Sequence, residues 1–289
     1  MLFRSGSGAE FSVEGRLGEN VPTDTTTVNG AGTLSLSAAT DVYSTLSNLN
    51  TLTVKAGAST VYNAANVTNL NVETGATLTL NHDNNVINRI SIGTQDDVSN
   101  TAQLTVNGNT TAADVVFKNN DEGVLQISIG KNLTVTNSIA VTNDNQLLGG
   151  KDESSISTLL LSGTANGYFS MNTPYLGEIK IDHGTAYVQT NATIGAISFA
   201  NTSDGTLNIA DGKILTVGTI LTYGQNAIAG SGTLDLTGNG SEFHAPIGNL
   251  NKLKVSGGTA TFYNNVHINE LRFDGGGAVA GDTCVRTDR

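Results

Sequence analysis

Leu250–Phe273 reads LNKLKVSGGTATFYNNVHINELRF, and its template occurs twice more in the chain. Leu49–Val72 reads LNTLTVKAGASTVYNAANVTNLNV, and Leu176–Phe199 reads LGEIKIDHGTAYVQTNATIGAISF. The three copies align over 24 residues without a gap. Each opens on Leu and continues with an alternating apolar pair: Leu52/Val54, Ile179/Ile181 or Leu253/Val255. A glycine follows at the ninth place of each copy (Gly57, Gly184 and Gly258), and then a second apolar group. That group is Val67, Leu70, Val72 in the first copy, Ile194, Ile197, Phe199 in the second and Ile268, Leu271, Phe273 in the third. An internal repeat of this kind marks stacked units that share one continuous core.

Apolar pairs separated by one residue recur outside the copies, from Leu34/Leu36 to Leu271/Phe273. Period-2 alternation is the signature of strands with one buried face. Turn signals punctuate them, among them Asn29-Gly30, Asn107-Gly108, Asp211-Gly212 and Asn239-Gly240. The spacing decides the fold. Leu34, Leu52 and Leu70 are 18 apart, as are Ile179, Ile197 and Leu215. Leu215, Leu234 and Leu253 follow at 19, and Leu271 at 18. A constant step predicts an all-β, single-stranded parallel β-solenoid with coils of about 18–20 residues, equivalent strands stacking about 4.8 Å apart. Leu34 to Leu271 spans 237 residues, room for roughly 13 coils, or about 60 Å of rod at that spacing. Leu271 over Leu253 and Leu253 over Leu234 are the pairs that test it.

Composition agrees. The chain has 289 residues, with 34 Gly, 33 Asn and 39 Thr but only 13% charged residues and no Trp. Thr and Val favour strands, while Gly and Asn favour turns. The formal net charge of −11, with 14 Lys and Arg and no basic run, argues against a nucleic-acid partner. Cys284 is the only cysteine, so no disulfide framework exists. No apolar run approaches 18 residues, so this segment is expected not to insert in a membrane as a helix.

Residues 1–20 (MLFRSGSGAEFSVEGRLGEN) contain Arg4, Arg16 and two Gly-Ser steps and read as a disordered, non-repeat leader or junction without a secretory apolar segment. Residues 21–276 read as the solenoid, and 277–289 as a non-repeat tail. An irregular joint or loop is expected near 143–174, where the pattern weakens and Gly149–Ser155 (GGKDESS) concentrates charge.

The chemistry-bearing residues do not converge on a site. Gly-rich pieces lack the strand–loop–helix context of a phosphate loop. His82, His183, His244 and His267 fall in four coils without a two-ligand spacing, and Asp83, Asp96 and Asp97 do not have EF-hand spacing. Asp96-Asp97, with Asp121, is the most suggestive carboxylate set for a solenoid hydrolase, yet adjacent strand residues face opposite ways. Asp182-His183 sits at a turn. Asn63, Thr190 and Asn264 match across the copies, as do Asn66, Thr193 and His267, and are expected to satisfy corner backbone groups. Thr-x-Thr pairs (Thr51/Thr53, Thr77/Thr79, Thr134/Thr136, Thr259/Thr261) lack the common phase a flat ice-binding face needs; Lys180 replaces Thr53 in the second copy. Six Asn-x-Ser/Thr sequons (Asn66, Asn109, Asn132, Asn191, Asn201, Asn239) follow from the composition. No catalytic, cofactor-binding or metal-ligating residue is assigned, and the expectation is a protein without enzyme activity.

The Asn/Thr-rich coils SNLNTLTVKAGASTVYNAANVTNLNVETGATLTL, SDGTLNIADGKILTVGTIL and GSGTLDLTGNGSEF resemble passenger domains of bacterial autotransporters. The likeness is greatest to the rickettsial outer-membrane surface antigen (surface cell antigen) family and covers about Val21 to Gly276. The resemblance implies a right-handed β-helix exported to the bacterial cell surface or outer membrane. It implies adhesion to a host-cell surface protein or glycan, and, in the full-length protein, a translocator β-barrel that this chain lacks. It carries over no catalytic residue. The other readings are a carbohydrate-active β-helix enzyme, hydrolase or lyase, and a structural spacer of a longer surface fibre.

Overall fold

The computed structural model describes residues 2–19, 26–93, 101–118, 123–128, 131–141, 146–149, 158–161, 166–169, 177–181, 184–200, 204–280 and 285–287. It is all-β: parallel strands stack as a β-solenoid of about 11 turns, consistent with a right-handed β-helix. The turns number fewer than an 18-residue step implies because several coils are longer. Leu70 pairs with Ile90 and Leu80 with Val106, steps of 20 and 26. The chain divides into two compact units, Met1–Val135 with Asn145–Lys151, and Thr136–Asp144 with Asp152–Arg289.

In the first unit three parallel ladders run side by side. One stacks Thr33–Val42 by its residues 33–36 under 51–54, which lie under 69–72 and then 89–92. A second stacks Thr27–Gly30 under 45–47, followed by 65–67 and 85–87. The third runs through the short strands Gly57–Val61, Ala76–Leu80, Ala102–Val106 and Gly123–Ile127. Long strands serve two ladders by bending. In Ala65–Val72 the buried residues are Ala65, Val67, Leu70 and Val72, so the inward step changes once from two to three. That extra residue turns the corner while keeping apolar side chains inside. Asn48 and Asn249 immediately precede the first and third copies and hold φ of 52° and 59°. Both sit where the coil-to-coil register shifts, and Asn is the non-glycine residue that best tolerates this conformation.

The second unit repeats the plan. Thr233–Leu236 carries 252–255, which carry 270–273, placing Leu253 over Leu234 and Leu271 over Leu253 as the spacing predicts. Leu215, Leu234 and Leu253 are fully buried. Burying each such side chain contributes about 1.5–3 kcal/mol. One expected step fails: Ile197 pairs with Ile220, and Leu215 with Ala192. The register step there is 23 residues, so an 18-residue count from Ile197 lands on the wrong ladder. Small residues let the backbones meet at one corner. Gly195, Gly218 and Gly238 stack there, with Gly238 N–H donating to the Gly218 carbonyl at 2.9 Å. A Cβ on Gly218 would lie 2.4 Å from the Gly195 carbonyl oxygen.

The boundaries expected from sequence need correction at both ends. Glu10–Leu17 is a strand pairing in parallel with Thr33–Val42, and Leu2–Ser5 pairs with Thr27–Gly30. Phe11 and Val13 are an alternating apolar pair that lies under Leu34 and Leu36; the Gly-Ser steps around them masked it. Ala278–Ala280 and Val285–Thr287 likewise continue the stack beyond residue 276. Of the joint expected at 143–174, Gln146–Gly149, Thr158–Leu161 and Asn166–Phe169 are strands. The remainder, including 150–155, lies outside the described residues.

Gly218→Ala is expected to destabilise the second unit by about 1–3 kcal/mol, because the methyl meets backbone that cannot swing away. Equilibrium urea unfolding measures it, with Gly224→Ala, which meets nothing within 4 Å, as the control that stays within about 0.5 kcal/mol.

Candidate functional site

Interior alternation sends every second side chain outward, so the accessible chemistry runs in rows along the coils. Polar corners form the first kind of row. In the first unit, Asn109 N–H donates to Asp83 Oδ1 at 2.7 Å, and Asn132 N–H donates to Asn109 Oδ1 at 3.0 Å. In the second unit, Ile214 N–H donates to Asn191 Oδ1 at 3.0 Å and Thr259 N–H to Asn239 Oδ1 at 2.9 Å. Each side chain thus satisfies a turn amide one coil further on. Asn63 and Asn264, matched in the aligned copies, donate to the carbonyls of Tyr43 and His244 one coil below. Thr190 in the second copy instead donates to the Asn191 carbonyl. The corner role expected for Asn63 and Asn264 is therefore what the structure has, and three sequon asparagines serve it too.

Aromatic rows are the second kind, and sequence reading missed them. Tyr43 and Tyr62 stack with centroids 4.5 Å apart and the Arg16 guanidinium 5.0 Å from the Tyr43 centroid. In the second unit His244 lies between Tyr223 at 6.3 Å and Tyr263 at 4.2 Å, with rings nearly parallel. Tyr263 is 56% exposed. Desolvation, then the Asp41 carboxylate, then Tyr43 push the Tyr62 hydroxyl above its ordinary range. The signal was present: Tyr62 and Tyr263 coincide in the aligned copies, each about one coil after Tyr43 or His244.

Charges form a third row, in the second unit. Lys254 lies over Asp235, with Nζ 2.9 Å from Asp235 Oδ2 and 3.5 Å from Asp274 Oδ2. Ser256 Oγ donates to Asp235 Oδ1 at 2.5 Å. The hydrogen bond that Lys254 donates to Asp235 raises its ammonium above the ordinary range, and the one that Arg272 donates to Asp274 lowers that carboxyl. Opposite charges on successive rungs hold neighbouring coils together, a structural use.

Two concavities adjoin these rows. An apolar one of about 320 Å³ in the first unit is lined by Phe11, Leu17, Val28 and Ser44 among others. A shallow open cleft of about 400 Å³ in the second unit exposes Glu178, Ser198 and Glu242. Ser198 Oγ donates to Glu178 Oε1. Register places Glu178 and Glu242 three rungs apart, from Glu178–Ile181 through 196–199 and 219–221 to Ser241–Phe243, or about 14 Å at the strand spacing. Paired carboxylates of glycosidases stand about 5–10 Å apart, so these two do not form such a pair.

The remaining candidates separate. Asp96, Asp97, Asp121, Asp182 and His183 lie outside the described residues. His82 is half-buried in the first unit, His244 belongs to the aromatic row, and His267 is exposed on Val266–Phe273. Thr51/Thr53 and Thr77/Thr79 stand in different ladders, so they do not make one flat row. Among the described residues no three His, Cys, Asp or Glu side chains gather as a metal site would require. No helix among them is long and apolar enough to cross a membrane. Comparison with protein-family models, curated proteins and solved structures gives no match.

Asp83 links corner geometry to pH. The Asn109 amide, then the Lys131 ammonium at 3.2 Å, hold its carboxyl below the usual range. A depressed folded-state value means the contribution is present above the unfolded value and lost as pH falls through the folded one. Asp83→Asn retains an acceptor but does not titrate, and is expected to flatten the stability profile below about pH 4 relative to the parent chain. Urea midpoints measured from pH 6 down to pH 2 check this; superimposable profiles would contradict it.

Proposed function

We propose that this chain is a cell-surface adhesin or antigen module of the autotransporter passenger type, attaching through its outer faces without catalysis. The observation that carries the reading is the character of the outward rows. Thr, Asn and Ser line them, Asp83 is engaged at a corner and Asp235 in a coil-to-coil pair, and the two carboxylates of the open cleft, Glu178 and Glu242, stand three rungs apart. Polar rows on a rigid stack offer a broad binding surface for a protein or glycan, as solenoids commonly do. The resemblance of the Asn/Thr-rich coils to rickettsial surface antigens supports the same reading and sets its expected place, the outside of an exported bacterial surface protein.

The aromatic rows are the natural anchors on such a surface, since exposed Tyr combines a large apolar face with a hydroxyl. The folded chain, labelled and applied to cultured host cells, is expected to bind saturably, and Tyr62→Ala with Tyr263→Ala is expected to weaken binding at least about fivefold, roughly 1 kcal/mol. Binding no greater than that of the heat-unfolded chain would overturn the reading.

A further inference from the structure

The open cleft of the second unit lies on an outward face unlike the one beside it. The neighbouring face carries ion pairs from rung to rung, Lys254 with Asp235 and Lys252 with Glu270. The cleft instead rests on two columns of mostly small side chains. Glu178, Ala196 and Thr219 stack in one, and Ser198, Leu221 and Glu242 in the other. A glutamate thus stands at each end, with shorter side chains between them. The resulting hollow of about 400 Å³ is within the size range of small-ligand sites.

Its chemistry fits a ligand rich in hydroxyls and without net charge. Ionised Glu178 and Glu242 only accept hydrogen bonds, while the Ser198 and Thr219 hydroxyls donate and accept. A carboxylate has room for about four donors, so neither Ser198 at Glu178 nor His244 at Glu242 fills the group. Ala196 and half-buried Leu221 give apolar contact between the polar ends. No Lys or Arg lines the hollow, and Lys180, outward on the rung of Glu178, lies outside the lining. A phosphate, a sulfate or an acidic sugar therefore meets like charge at both ends. A cation meets one exposed carboxylate at a time, about 14 Å from the other, in the kind of surface pair that contributes little. Tyr223 and His244 stand two residues beyond Leu221 and Glu242, about 7 Å along the strands, so the aromatic row walls one side. Sugar rings combine apolar C–H faces with O–H donors, the pattern this floor and these ends complement.

We propose that the cleft is a binding site for a neutral oligosaccharide lying along the stack. Its hydroxyls donate to Glu178 and Glu242, and its ring faces rest over Ala196 and Leu221. The proposal rests on the adhesin reading and names the ligand class that one outer face takes.

Isothermal titration of the folded full chain with short oligosaccharides of glucose, galactose, mannose and N-acetylglucosamine tests it. At least one is expected to bind with a Kd of about 1 mM or tighter. Because the ligand is uncharged, the affinity is expected to be the same at about 50 mM and about 500 mM salt. Glu242→Ala is expected to weaken binding at least about fivefold, and Thr219→Phe, which fills the hollow from an outward strand position, at least about tenfold. Thermal unfolding of each variant reports that it still folds. Binding of none of these sugars, or binding indifferent to both substitutions, overturns the proposal. So does binding of a lysine oligomer in place of the sugars that is lost in Glu178→Gln with Glu242→Gln, which identifies a basic peptide as the ligand. Saturable attachment to host cells alongside any of those results leaves the adhesin reading in place and removes only the sugar site.

Discussion

Coil-to-coil register is the constraint on which the molecule depends. Each inward Leu, Val or Ile rests on its counterpart one coil below, as Leu253 rests on Leu234 and Leu52 on Leu34. The same stacking closes the backbone hydrogen bonds, because a parallel strand finds its partners in the coils above and below rather than in itself. Neither term survives a slip by one residue, which would turn the apolar set outward. No coil has a core of its own, so stability belongs to neighbouring coils together.

Corners are where that register is at risk, since a turn leaves amides and carbonyls unpaired. Asparagine resolves the difficulty in two ways. Asn48 and Asn249 adopt positive φ where the long strands bend, while Asn109, Asn191 and Asn239 accept amides from the next coil. Glycine serves where backbones approach too closely for a methyl, as at Gly218. The composition that looks like low complexity is thus the cost of many turns, and it leaves Thr and Asn as the chemistry of the outer surface. Lys254 and Asp235, like Lys252 and Glu270, pair from rung to rung.

The solenoid was legible because alternation and spacing are local, repeated signals. Leu34–Leu52–Leu70 could be counted directly, and the match of Asn63 with Asn264 foretold a shared corner bond. Spacing failed where a coil lengthened: counting 18 from Ile197 reaches Leu215, although Ile220 is the true neighbour. Composition misled at the first residues, where Phe11 and Val13 join the ladder despite Gly-Ser surroundings. The aromatic rows were harder to read. A single Tyr per coil carries no periodic pattern of its own, and the coincidence of Tyr62 with Tyr263 in the aligned copies was the hint that Tyr43 and Tyr62, or His244 and Tyr263, stack as a continuous feature. Interior rings obey the same rule, with Phe243 and Phe262 stacked at 4.7 Å inside the second unit.

Disulfide trapping between successive coils tests the register most directly. Thr51 and Asn69 are outward partners on adjacent rungs, while Asn71 lies two residues further along the same strand. In a Cys284→Ser background, Thr51→Cys with Asn69→Cys is expected to oxidise rapidly and fully, since parallel partners stand about 4.8 Å apart, within the range a disulfide spans. Thr51→Cys with Asn71→Cys is expected to remain reduced under the same conditions. Preferential oxidation of the second pair, or of neither, would contradict the parallel stack on which the whole account rests.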